Sequence, residues 1–138
     1  GDNENPNSLV STVINKMLDG ESIELTLCEQ RYNYIHIDSL LPHVYSVLAN
    51  AKNNSGVYNL CSSEAIILKD LLLLIASLMG KSPELYNFGG LPYRHNQPMV
   101  INGSNAKYIK TFNAKNKIFA DIEMGIENII QNHKTRTK

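Results

Sequence analysis

Apolar residues recur with helical spacing at Leu9, Val10, Val13, Ile14, Met17 and Leu18, which predicts a helix over residues 8–18. Asn7 or Ser8 supplies its cap, and Asp19-Gly20 ends it. The pattern then switches to alternation. Ile23, Leu25 and Leu27 fall on one side of an extended segment over 22–27, with Glu24 and Thr26 on the other. A strand with the apolar set inward is expected there. Residues 29–33 read as a polar connection and residues 34–37 as a second short strand. Asp38 or Ser39 caps a helix running to Asn50, with Leu40, Leu41, Val44, Val47 and Leu48 along one side. Pro42 falls in its first turn, where the missing N–H costs little.

The second half continues in the same way. Residues 51–56 form a loop, and Val57 to Cys61, short, apolar and flanked by polar turns, reads as a buried strand. After the turn Ser62-Ser63-Glu64, residues 65–68 read as a small strand entering a helix over 69–79 that Gly80 stops. Residues 85–88 are extended. Gly89, Gly90, Pro92 and Pro98 then forbid a regular helix. A short helix is expected over 103–109 and an amphipathic one over 121–132. Strands alternating with helices argue an α/β fold.

Composition narrows the function classes. The chain has 138 residues and is 43% apolar, enough for a real core, and its 13 basic residues balance 13 acidic ones. No global field attracts nucleic acid or an anionic membrane. The one basic cluster is the tail 134–138. No apolar run approaches the roughly 20 residues that span a bilayer. Cys28 and Cys61 read as buried free thiols of a reducing cytoplasm, not as a disulfide framework.

Catalytic constellations are missing. There is no glycine-rich cofactor turn, no phosphate-cradling loop and no Tyr-x-x-x-Lys pair. No His/Cys/Asp/Glu spacing suggests zinc. His36, between Ile35 and Ile37, reads as a structural histidine; His43 and His133 read as helix-surface residues, and His95 adjoins Arg94 without a pattern of its own. Nothing near Cys28 would make it a nucleophile. What remains is polar binding chemistry in loops. Arg94 stands in the turn-rich stretch 86–99 with no nearby carboxylate, so either a distant carboxylate or a bound anion is its partner. Arg31 and Tyr32 follow the first strand. Asn59 lies inside the apolar segment 57–60, where hydrogen bonding to backbone or to ligand are both open.

In order along the chain, these segments resemble the C-terminal half of the extended short-chain dehydrogenase/reductase family, whose members are NAD(P)-dependent epimerases, dehydratases and reductases of nucleotide-diphospho-sugars. Gly1 to Val10 is similar to the family's "YGPGxNPNxLIP", and Glu29-Gln30-Arg31-Tyr32-Asn33-Tyr34-Ile35-His36-Ile37-Asp38 to its "EQxRDFIYVDD". Val57-Tyr58-Asn59-Leu60 resembles "VYNIG". Residues 87–99 resemble "NFGxLPYRxxExM", residues 102–107 "ADxSKLK", and Glu123-Met124-Gly125-Ile126 "EEGI".

The resemblance implies a substrate-binding lobe of a Rossmann-type enzyme over residues 1–138, a small mixed sheet with helices, lacking the cofactor-binding half. In it Arg94 would bind the diphosphate with Gln97 beside it. Ser8 and Leu9 would lie along the nucleotide, Glu24 and Thr26 would flank the base, and Asn59 would contact the nucleotide-sugar. The family's second diphosphate arginine falls at Tyr32, with Arg31 one place earlier as the candidate substitute. Cys61 and Ser63 replace family glycines, and Phe112-Asn113-Ala114-Lys115 replaces "GWxP". NAD or NADP belongs to the absent half, so this chain is expected to bind no cofactor and to catalyse nothing alone. The loop-like start at Gly1 reads as a truncation. The partners implied are a nucleotide-diphospho-sugar, the missing N-terminal half and, through exposed apolar surface, other copies of the chain. The alternative is a stand-alone, non-enzymatic nucleotide- or sugar-binding or dimerisation module.

Overall fold

The computed structural model describes Asn5 and residues 8–50, 52, 54–114 and 122–136. The proposed motif over Gly1 to Asn7 and the end of the segment 112–115 therefore lie largely outside the described residues. Helix α1 spans Leu9–Asp19, and Ser8 caps it by accepting a hydrogen bond from Ser11 N at 3.2 Å. Gly20 ends it with φ 73°, a left-handed turn that glycine adopts without a Cβ penalty. Strand β1 (Ile23–Leu25) follows, then β2 (Arg31–Tyr32) and helix α2 (Ile37–Ala49). Strand β3 (Ile66–Ile67) leads directly into helix α3 (Leu68–Met79), again closed by a left-handed glycine, Gly80. Strand β4 (Tyr86–Phe88), strand β5 (Val100–Ile101), helix α4 (Ala106–Phe112) and helix α5 (Ile122–Arg136) complete the chain.

The strands form two small sheets. β1 pairs in parallel with β4, Glu24 opposite Asn87. β2 lies between β3, antiparallel, and β5, parallel. The core sits where α1, α3 and α5 meet the first sheet. Val13, Ile14 and Met17 from α1 pack there with Leu72 and Ile75 from α3, Ile126 and Ile130 from α5, and Ile23 and Leu25 from β1. Tyr86 is buried among them, and its hydroxyl donates to Leu72 O at 2.9 Å. A second contact joins α2 to α4, where His43 Nδ1 and the Tyr108 hydroxyl stand 2.7 Å apart.

The α/β class and most helices agree with the sequence pattern, but several local expectations do not. Leu27 is 50% exposed, because Cys28 turns the chain with φ 56° and takes the inward place itself. The polar segment 29–33 contains strand β2, stabilised by pairing partners far away in the chain. Residues 34–36 are irregular, and Ile37 already belongs to α2, which His36 caps through Nδ1. Pro42 therefore lies inside α2 and not in its first turn. His43, expected on the surface, is the buried residue of that helix. The apolar side of α2 is partly bare: Leu41 and Leu48 are exposed. Residues 57–61 form no strand, and Val57 is 83% exposed. Cys28 and Cys61 are both free; Cys28 is buried and Cys61 half-buried.

Candidate functional site

Residues 26–30 and residues 89–99 each connect the two sheets, and a groove of about 500 Å³ opens along these connections. One stretch of chain forms much of its wall: Glu24, Thr26, Cys28, Gln30, Tyr32 and Tyr34 all line it. Leu25 lines it as well, and the left-handed turn at Cys28 brings Cys28 and Gln30 to the same wall. The rings of Tyr32 and Tyr34 follow one another at 6.1 Å. Ser8, the cap of α1, and its first residues Leu9 and Val10 line the groove, as do Leu91, Pro92, Arg94 and Gln97 from the second connection.

Sequence-local turns set the second connection in place. Gly89, at φ 87°, and Leu91 both donate their backbone N–H to Leu25 O at 3.0 Å. Gly90 has no Cβ because one would stand 1.8 Å from Glu24 Oε2. That carboxylate instead accepts a hydrogen bond from Asn87 Nδ2 at 2.8 Å. The Tyr93 hydroxyl accepts from Glu29 N and donates to Glu29 Oε2, each at 3.1 Å. Gln97 Nε2 donates to the Tyr32 hydroxyl at 2.8 Å, which in turn donates to Pro98 O. A turn closed by Gln97 N to Arg94 O at 3.0 Å carries Arg94. Its guanidinium is exposed and makes no ion pair with any described residue.

Seven of the nine residues proposed from the sequence therefore share one groove: Ser8, Leu9, Glu24, Thr26, Tyr32, Arg94 and Gln97. Arg31 is not among them. It stands on the other parity of the strand and lines a separate hollow of about 380 Å³ with Glu64 and Asn102. Its Nη2 donates to Ala65 O at 3.4 Å. Asn59 is exposed, with its amide donating to Ser104 O at 3.4 Å, and lies outside the groove. Gln30, Cys28 and Tyr34 are groove residues that the sequence reading did not select. No simple alternation marks them, because the left-handed turn at Cys28 breaks the period between Thr26 and Tyr32.

Electrostatically the groove is mild. Burial pushes the Cys28 thiol up, outweighing the Thr26 hydrogen bond and the Lys69 charge. Burial, with Tyr32 and Cys28 nearby, pushes the Tyr34 phenol up to about 12. Neither group is an anion near neutrality, so the wall offers neutral hydrogen-bonding groups, not nucleophiles. Arg94 is the one cation among the described lining residues. Among the described residues no group of His, Cys, Asp and Glu could hold a metal ion, and no helix is long and apolar enough to cross a membrane.

No family model matches the sequence, and neither does any curated protein. Solved structures do match. A dTDP-glucose 4,6-dehydratase from Bacillus anthracis, solved with NAD, superimposes with a TM-score of 0.78 at 17% identity, covering 94% of this chain and 40% of that one. A dTDP-glucose 4,6-dehydratase from Streptomyces venezuelae, solved with NAD and TDP, gives 0.80 at 14% identity, over 94% and 39%. A UDP-N-acetylglucosamine 4-epimerase from Methanobrevibacter ruminantium, in complex with UDP-N-acetylmuramic acid, gives 0.80 at 13% identity, over 99% and 42%. At these identities the likeness is one of fold. The chain has the fold of the C-terminal part of extended short-chain dehydrogenase/reductase structures and spans about 40% of their length.

Proposed function

We propose that residues 1–138 form the nucleotide-sugar-binding part of an NAD(P)-dependent epimerase, dehydratase or reductase acting on a nucleotide-diphospho-sugar. The observation that carries this reading is the convergence of Arg94, Gln97, Tyr32, Ser8, Leu9, Glu24 and Thr26 on one groove. The solved structures of this fold include complexes with nucleotide-sugars and NAD.

In the proposed complex the diphosphate lies against Arg94. A guanidinium without a protein partner can give its donors to phosphate oxygens. The α1 N-terminus adds to it, since the N–H groups of Leu9 and Val10 have no partner within the helix and carry the positive end of its dipole. Gln97 and Tyr32 hold the arginine-bearing turn to β2. Glu24 and Thr26 flank the base. The groove supports a binding role, and we assign hydride transfer to a cofactor-binding half that takes NAD or NADP. The exposed apolar residues Leu41, Tyr45 and Leu48 of α2, with Val57, fit a surface that such a half covers.

Calorimetric titration with UDP, GDP, CDP and dTDP tests the reading, repeated on Arg94→Ala with its fold checked by circular dichroism. One nucleotide should bind saturably, and the variant should lose about tenfold or more in affinity, the weight of one charge-assisted contact. Equal binding by wild type and variant, or no binding of any nucleotide by folded protein, refutes it.

A further inference from the structure

Arg94 is an exposed arginine on a connection between two sheets. Ordering such a loop and its long side chain on a ligand weakens binding, unless the protein has already done it. The connection is tied down on both sides of Arg94. After it, Gln97 Nε2 donates to the Tyr32 hydroxyl at 2.8 Å. Before it, the Tyr93 hydroxyl accepts from Glu29 N and donates to Glu29 Oε2, each at 3.1 Å. Between the ties, the turn from Arg94 to Gln97 passes through Asn96 at φ 60°, a left-handed conformation that asparagine adopts more readily than most residues.

The anchor that Tyr93 grips is itself fixed. Cys28 O and Gln30 O, on either side of Glu29, accept from Lys69 N at 2.9 Å and Leu68 N at 2.8 Å, at the start of α3. Arg31 N donates to Met99 O at 2.8 Å. Glu29 therefore stands at a set place, with its backbone donor and its carboxylate both engaged by one hydroxyl. Neither residue belongs to the hydrophobic core, and neither lines the groove. What their bonds determine is where the backbone at Arg94 begins.

We propose that Tyr93 and Glu29 are positioning residues of the groove, whose paired hydrogen bonds hold the backbone at Arg94 so that its guanidinium meets the anion of the ligand already oriented. The proposal rests on the nucleotide-sugar reading above, in which Arg94 holds the diphosphate, and adds two residues and a role to it. Both act through Arg94 and not on the ligand. A carboxylate gives an anion no attraction, so the use of Glu29 lies in the bond it makes.

The test is calorimetric titration of the whole chain with the nucleoside diphosphate that wild type binds best among UDP, GDP, CDP and dTDP. Tyr93→Phe keeps the ring and removes the hydroxyl, and should weaken that ligand about three- to tenfold. In an Arg94→Ala background the same change should leave the remaining affinity within about twofold, since no guanidinium is left to place. A tyrosine with only a structural role would cost the same in both backgrounds. Glu29→Gln and Glu29→Ala form a second pair. Both remove the charge, but only glutamine keeps an acceptor for the hydroxyl, so the alanine variant should bind about threefold or more weakly than the glutamine variant. No loss in Tyr93→Phe, an equal loss in both backgrounds, or equal affinities of the two Glu29 variants overturns the proposal, with the groove reading intact. If Tyr93→Phe is unfolded by circular dichroism, or the Arg94→Ala background binds too weakly to titrate, the Glu29 pair decides alone. Failure of wild type to bind any of the four ligands overturns the nucleotide-sugar reading and this inference with it.

Discussion

Replacing Gly125 by alanine sets two opposed effects against each other in helix α5. Gly125 is buried within Ile122–Arg136. On helix propensity alone alanine stabilises such a site by about 1 kcal/mol. The packing opposes this. A Cβ there would lie 2.8 Å from His36 Cβ, 2.9 Å from His36 Cγ and 3.1 Å from His36 Cδ2, where ordinary contact begins at 3.4 Å. The closest atom is the stub of the side chain, fixed to the backbone, so no rotamer change moves it away. Relief requires shifting α5 or the His36 backbone, which also caps α2. Forcing a methyl group into such a contact costs about 1–3 kcal/mol. Packing outweighs propensity, and the net loss is about 1 kcal/mol, or roughly 3–5 °C in melting temperature for a domain this size. Differential scanning calorimetry of Gly125→Ala reads it directly. A melting temperature at or above wild type would refute the argument, because the helix would then have room to spare against His36.

Two further changes probe the interior. Tyr86→Phe removes the hydroxyl that donates to Leu72 O and touches Met17 Sδ at 3.2 Å. Urea denaturation should show a loss of about 1–2 kcal/mol, and a loss below about 0.5 kcal/mol would mean that the buried bond is energetically idle. Burial lowers the pKa of His43 from 6.5, so between its folded and unfolded values the unfolded chain binds the extra proton. His43 therefore contributes full stability above pH 6.5, and this contribution declines as pH falls toward the folded pKa. Stability measured from pH 8 to pH 5 in wild type and in His43→Gln should show a steeper acid loss in wild type, and parallel curves would contradict the assignment.

The helices were legible because their signals are local. Apolar spacing and a left-handed glycine mark α1 and α3 almost to the residue. The short strands were not, because two-residue strands such as β2 and β5 carry no pattern of their own. They exist through partners: Arg31 meets Ile67 on one side and Val100 on the other. The opposite error occurred at Val57 to Cys61. Its apolar composition suggests a buried strand, yet no described strand pairs with it and Val57 stands in solvent. Composition records what a segment is suited to cover, not whether its partner is present. The same holds for α2, whose apolar side is legible as a pattern while Leu41 and Leu48 stand exposed.

The candidate site shows how far a single residue of register matters. An arginine at 31 and a tyrosine at 32 look interchangeable as neighbours in a motif, but strand geometry separates them completely. Tyr32 faces the groove, while Arg31 lines another hollow with Glu64. Arg31 therefore cannot reach the groove as a second phosphate-binding cation without flipping β2 and every pair it makes. The tyrosine takes up a different task, accepting from Gln97 and donating to Pro98, so that the turn bearing Arg94 is tied to the sheet. With one guanidinium left on the groove wall, a diphosphate bound there must draw its remaining stabilisation from neutral donors and the end of α1. On the proposed reading, such a site would bind an anion by orientation more than by charge. Its affinity should then depend less on ionic strength than that of a site with two arginines, since only one full charge is screened.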